Sequence, residues 1–87
     1  MNEETALRDQ IRQVIADHAR LSVAIGTLDD DGDLFQAGMT SHASVNLMLA
    51  LEEVFGIEFP EAMLRKSTFA SVCSIEIALC ELRSVPA

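Results

Sequence analysis

Eighty-seven residues are enough for one domain with a modest core and without metal or disulfide support. The chain is 49% hydrophobic with four Phe, no Trp and no Tyr, which points to an aliphatic, helix-packed interior and away from a β-sandwich with its alternating β-branched runs and turn glycines. A formal net charge of −8 excludes nucleic acid as a partner, since a binder must supply cations to neutralise phosphates, and favours proteins with basic docking patches.

The first helix is predicted from about Glu3 to Ala19. Asn2 suits its N-cap and Glu3 and Glu4 its first turn, while Leu7, Ile11, Val14, Ile15 and His18 recur at helical spacing. Arg8, Asp9, Arg12 and Asp17 form its polar face, and His18 reads as a helix-end residue facing terminal carbonyls. The opening MNEETALRDQ has no basic region followed by an apolar stretch, so no secretory signal is expected. No apolar run approaches membrane-spanning length, and the expected location is the cytoplasm, with no membrane partner.

A long connection from about Arg20 to Thr40 follows, and a loop of this length needs anchors. Leu21, Val23, Ile25, Leu28, Leu34 and Phe35 are expected to pin it across the bundle. Its acidic run, Asp29-Asp30-Asp31-Gly32-Asp33, fails as an EF-hand. With Gly32 at the obligatory glycine, Thr27 and Gly38 fall where carboxylates are required. No metal site is predicted.

The second helix begins at Ser41 and stops at Gly56. Ser41 thereby lies at a helix N-terminus, where free backbone N–H groups and the helix dipole favour an attached anion by roughly 0.3–1 kcal/mol. It can serve as N-cap, phosphate attachment point, or both; Thr40 is a loop or N-cap residue, and Ser44 should point inward. At about 100° per residue, Leu47, Met48, Leu51, Val54 and Phe55 form the inner stripe. The opposite face carries His42, Val45, Asn46, Leu49 and Glu53, with Glu52 at its edge. On one reading a neighbouring loop covers Val45 and Leu49; on the other, His42, Val45 and Leu49 make a narrow ridge for partner proteins.

Ile57 and Phe59 should pack inward around Glu58. Pro60 opens a short third helix that ends near Arg65 and Lys66, and the last helix begins with Ser67 or Thr68 as N-cap. Val72, Ile75, Leu79 and Leu82 make one stripe of that helix, and Phe69, Cys73, Ile77 and Cys80 a second. Glu76, Glu81 and Arg83 then face water, and Pro86 ends the pattern. Cys73 and Cys80 are seven residues apart on one helix, about 10 Å along its axis, so they read as small buried hydrophobes and not as a disulfide.

The stretch from Gly38 to Pro60 resembles the acyl carrier protein family, which includes peptidyl and aminoacyl carrier proteins. The family pattern is a Gly-x-Asp-Ser-Leu loop and helix start, a Val four residues after the serine, an apolar run, Leu-Glu-Glu, Phe and a closing Ile-Pro or similar pair. Gly38, Ser41, Val45, Leu47, Leu51, Glu52, Glu53, Phe55, Glu58 and Pro60 stand in that register without a gap, and Asp33-Leu34-Phe35 looks like the Asp-Leu-Phe that precedes it. Length and helix layout extend the match to nearly the whole of residues 1–87. The resemblance implies an all-α, acyl-carrier-like four-helix bundle with a long first loop and a short third helix. It implies a single carrier domain, expected as a monomer.

It also implies that Ser41 carries a 4′-phosphopantetheine arm, transferred from coenzyme A by a phosphopantetheinyl transferase. Cargo would ride on the arm's thiol as a thioester. Such a carrier is not an enzyme. Thr40, His42, Ala43 and Asn46 depart from the family pattern and remove negative charge and one apolar contact where fatty-acid enzymes dock. The run Thr-Ser-His-Ala-Ser-Val is similar to aminoacyl carrier proteins served by amino acid:carrier protein ligases related to seryl-tRNA synthetase. The expected cargo is then a small amino acid such as glycine or alanine, loaded with ATP and passed to a downstream acceptor enzyme. Thr40, His42, Val45, Asn46, Leu49, Glu52 and Glu53 are the expected docking residues. A fatty-acyl or polyketide carrier is the alternative within the family, and an unmodified interaction module the alternative outside it. Ser41 and His42 are not a nucleophile–base pair, because helix neighbours point about 100° apart.

Overall fold

The computed structural model describes residues 3–84, which form three α-helices and no strand: α1 (Glu3–His18), α2 (Ser41–Phe55) and α3 (Val72–Ser84). The expected Asn2 cap and the Pro86 stop lie outside the described residues. The inner stripes meet in one core. Ile11 and Ile15 of α1, Leu47 and Leu51 of α2, and Val72, Ile75 and Leu79 of α3 are fully buried there. Leu34 from the first loop and Phe59 and Phe69 from the second connection close it, the two rings meeting edge to face at 5.2 Å. Burying each large aliphatic side chain stabilises the fold by about 1.5–3 kcal/mol. His18 does not complete the α1 stripe as expected; it is exposed, and Ala19 is buried in its place.

The long loop is held by hydrogen bonds as well as apolar contacts. Arg12 donates to the carbonyls of Ile25 (2.9 Å) and Leu28 (3.0 Å) and pairs with Asp30 at 2.6 Å. The Leu34 N–H donates to the Ala70 carbonyl at 2.7 Å, and the Cys73 N–H to the Asp30 carbonyl at 2.7 Å. Leu21, Ile25, Leu28 and Phe35 pack against the core as expected, but Val23 is exposed.

The second connection, between α2 and α3, differs from the sequence reading in two ways. In place of one short third helix there are two 3-10 turns, Glu61–Met63 and Lys66–Phe69. Leu64 adopts φ −82°, ψ 65° between them and breaks any continuous helix. The last helix starts at Val72, later than expected. Ser71 and Ser74 each accept the other's backbone N–H, at 3.1 and 3.0 Å, which satisfies helix-start donors at that place.

Three face assignments also change. Val54 of α2 is 55% exposed, and Ala43 and Ala50 fill the inner face beside Leu47 and Leu51. On α3, Ile77 is 58% exposed, Cys80 is exposed and Cys73 is half-buried, so the second apolar stripe does not close. Glu76, expected in water, is buried, because Arg8 reaches its carboxylate from α1 at 3.0 Å and supplies the countercharge.

Candidate functional site

The site begins with a glycine. Gly38 takes φ 113°, a backbone region L-residues rarely adopt, and a Cβ there would collide with Ser22 Oγ and stand 2.8 Å from Ser22 N. The close approach is fixed by the Ser22 N–H, which donates to the Ala37 carbonyl at 2.8 Å. Met39 then buries its side chain, and its N–H bonds to the Leu34 carbonyl at 3.0 Å. The chain therefore reaches Thr40 from a held position.

Thr40 is the N-cap of α2. Its backbone is extended and its hydroxyl oxygen accepts the Ala43 N–H at 3.0 Å. Because Thr40 does the capping, Ser41 is the first helical residue and is exposed, and among the described residues its hydroxyl has no hydrogen-bond partner. Ser44 is half-buried, not fully inward as expected, and its hydroxyl donates to the Ser41 carbonyl at 2.7 Å. At the other end Gly56, in the left-handed region at φ 64°, donates its N–H to the Glu52 carbonyl and stops the helix.

Ser41 stands on the wall of a groove of about 350 Å³ between α2 and the second connection. Phe35, Val45, Met48, Leu64 and Phe69 supply apolar walls, and Arg65 and Lys66 stand on the same lining. Lys66 Nζ lies over the Phe35 ring, 4.9 Å from its centroid. Phe35, Leu64, Arg65 and Lys66 were not among the sequence-derived site residues. The signal that pointed to them was slight: Lys66 is the chain's single lysine.

The outer face of α2 is open. Val45 is 51% and Leu49 53% exposed, with Val45 also bordering the groove beside the second connection, and His42, Asn46 and Glu53 are exposed on the same helix. Asn46, Leu49 and Glu53 also border a cleft of about 300 Å³ with Asp17, His18 and Arg20 at the end of α1. Glu52 differs from its neighbours. It is half-buried, and its carboxylate accepts the Phe59 N–H at 2.9 Å, which ties α2 to the turn after it.

His42 and Ser41 share no hydrogen bond, and among the described residues no cluster of His, Cys, Asp or Glu has the makings of a metal site. No helix among them is long and apolar enough to cross a membrane.

Comparison with known proteins agrees with the geometry. The family model described as "Phosphopantetheine attachment site" matches residues 9–75. An aminoacyl carrier protein of Agrobacterium fabrum (strain C58) is 46% identical over 66 residues, covering 76% of this chain and 80% of the relative. Among solved structures, a crystal structure of an engineered Bradyrhizobium japonicum glycine:[carrier protein] ligase complexed with a carrier protein from Agrobacterium tumefaciens and AMP matches with TM-score 0.82 and 41% identity, over 84% of this chain and 97% of the matched one. A structure of the Bradyrhizobium japonicum ligase complexed with glycylated carrier protein matches with TM-score 0.72 and 26% identity, over 84% and 97% of the two chains. With an exposed serine at a helix start, and a family match across most of its length, this chain belongs to the carrier proteins that bear a phosphopantetheine attachment site.

Proposed function

We infer that the chain is an aminoacyl carrier protein that holds an activated small amino acid, such as glycine or alanine, on a 4′-phosphopantetheine arm attached to Ser41. The observation that carries the reading is the Ser41 hydroxyl, exposed and without a partner among the described residues, Thr40 capping the helix in its place. The surrounding residues fit the group: the hydroxyl opens beside a groove with two cations and apolar walls, suited to an anion followed by a partly apolar chain. The group supplies a terminal thiol on which the amino acid is carried as a thioester. The chain's own residues bear the arm, orient its root at the start of α2 and present a surface to the enzymes that do the chemistry.

Loading is assigned to an ATP-dependent amino acid:carrier protein ligase. The support is the kinship with an aminoacyl carrier protein and with carriers found in complex with glycine:[carrier protein] ligases. Docking is assigned to the α2 face of His42, Val45, Asn46, Leu49 and Glu53, with Thr40 at its upper edge. Glu52 contributes at its margin, its carboxylate being committed to Phe59. Attachment of the arm is assigned to a phosphopantetheinyl transferase, and release of the cargo to a downstream acceptor enzyme.

The test is intact mass after incubation with coenzyme A and a broad-specificity transferase, with Ser41→Ala as control. A gain of one phosphopantetheine, absent in the variant, is expected. Subsequent incubation with ATP, a glycine:[carrier protein] ligase and candidate amino acids should add one small aminoacyl group. Loading with malonyl groups but with no amino acid would sink the aminoacyl assignment.

A further inference from the structure

The acidic run of the first loop does not act as a unit. Asp29 and Asp31 are exposed, and the Asp33 carboxylate accepts the N–H groups of Phe35 at 2.9 Å and Gln36 at 3.3 Å, closing a local turn. Asp30 differs, because it is tied to two helices. Its carboxylate pairs with Arg12 of α1 at 2.6 Å and with Arg8 at 3.5 Å, and its carbonyl accepts the Cys73 N–H near the start of α3 at 2.7 Å. Arg8 in turn reaches Glu76, about one turn further along α3, at 3.0 Å. These contacts close a ring through Asp30, Arg8, Glu76 and Cys73.

From this ring a run of hydrogen bonds leads to Ser41. The Leu34 N–H is held by the Ala70 carbonyl at 2.7 Å, and the Leu34 carbonyl accepts the N–H groups of Ala37 at 3.1 Å and Met39 at 3.0 Å. Leu34 is fully buried, so while the loop is seated its backbone groups cannot exchange these partners for water. Met39 adjoins Thr40, whose hydroxyl caps α2 and leaves the Ser41 hydroxyl open.

The ring gives way at Asp30. Its side chain is 41% exposed, as is that of Arg8, with Arg12 at 24%, so each pair shifts the ratio of seated to open loop by about two- to fivefold. The buried Glu76 keeps Arg8 when Asp30 leaves, because both its oxygens accept from the Arg8 Nε, at 3.1 and 3.0 Å. Release of Asp30 therefore strands no buried charge, and the loop opens without separating α1 from α3.

We propose that Asp30 is a positioning residue for modification at Ser41. Its carboxylate latches the first loop to α1, and the latched loop holds the run from Leu34 to Thr40, and so the start of α2, in the arrangement a phosphopantetheinyl transferase engages. This rests on the assignment of Ser41 as the attachment point. An unlatched chain must reseat its loop to bind, which raises KM; once bound, the complex is the same and kcat is spared.

The experiment measures amide hydrogen exchange of the full chain, then the kinetics of arm attachment with coenzyme A and a broad-specificity transferase, followed by intact mass. The wild type is set beside Asp30→Ala, the milder Asp30→Asn and Ala16→Gly. The last weakens α1 at an exposed position away from the latch and controls for stability alone. In Asp30→Ala, exchange at Leu34 and Met39, relative to the Leu79 amide of α3, should quicken about four- to twentyfold. KM should rise about threefold or more with kcat unchanged. Asp30→Asn should move both quantities the same way, and decides the matter if Asp30→Ala fails to fold. Ala16→Gly should match the wild type in both. A KM in Asp30→Ala equal to that of Ala16→Gly, or quickening confined to residues 27–32, would overturn the proposal and leave the attachment reading intact. No mass gain at Ser41 in the wild type would overturn the attachment reading and the role of Asp30 together.

Discussion

Gly38→Ala should destabilise the fold by about 2–3 kcal/mol, and Gly26→Ala should not destabilise it at all. At Gly38 the backbone sits at φ 113°, and an added methyl would meet Ser22 Oγ and stand 2.8 Å from the Ser22 nitrogen. Forcing an L-residue into left-handed backbone costs about 1–2 kcal/mol. Relief of the collision requires the two loop segments to part, which strains the 2.8 Å bond from the Ser22 N–H to the Ala37 carbonyl. Loss of that bond adds about 0.5–1.5 kcal/mol. Gly26 is the control: no atom lies within 4 Å of its hypothetical Cβ and its φ is not positive, so alanine there is expected to be neutral or to stabilise by about 0.4–1 kcal/mol. The assay is urea denaturation of both variants, followed by helical circular dichroism. With a slope of about 1 kcal/mol per molar urea, the Gly38→Ala midpoint should drop by about 2–3 M. Two variants with midpoints within about 0.5 M of each other would refute the reasoning, because the close approach of Gly38 to Ser22 would then carry no weight.

Thr40→Ala removes the oxygen that accepts the Ala43 N–H and should cost about 1 kcal/mol, while Thr40→Asp keeps a cap and should stay near wild-type stability in the same titration. Arg12→Ala loses two loop carbonyls and Asp30 together; an expected loss of about 1–2 kcal/mol should come with faster hydrogen exchange at Thr27, Leu28 and Gly32. Leu49→Glu, at a site 53% exposed, should leave stability and arm attachment unchanged while lowering kcat/KM for ligase loading about tenfold, as measured by mass spectrometry of the loaded carrier. Unaltered loading kinetics in that variant would remove Leu49 from the docking surface.

What was legible in the sequence was local. The limits of α2 were written in Thr40, Ser41 and Gly56, and the inner stripes of α1 and α3 in their spacing, because capping and periodicity act over one or two turns. The placement of Ser41 at a helix start follows from the same rules, whereas the exposure of Val45 and Leu49 was left between two readings. What failed to show depended on distant partners. Glu76 looks like a solvent residue until Arg8, 68 positions away, is brought against it. The start of α3 was misplaced because Ser67 and Thr68 look like caps in one dimension, whereas the reciprocal bonds that satisfy the helix start are made between Ser71 and Ser74. The groove is hidden for the same reason: Phe35, Leu64 and Lys66 come from two separate connections and become one lining only when Phe69 docks.

The two backbone ties from the first loop to Ala70 and Cys73 have a consequence for how the molecule is made. Everything up to Phe55, including Ser41 itself, leaves the ribosome before Ala70 and Cys73, which supply these two ties, exist outside it. Contacts of such long sequence separation close late, because the loop entropy must be overcome before they reward it. A nascent chain that ends before Ala70 therefore lacks the partner of the Leu34 N–H, while the ties from Arg12 and from Ser22 to the loop lie within the part already made. Full ordering of the loop that leads to Ser41 is thus coupled to the arrival of the segment that opens α3.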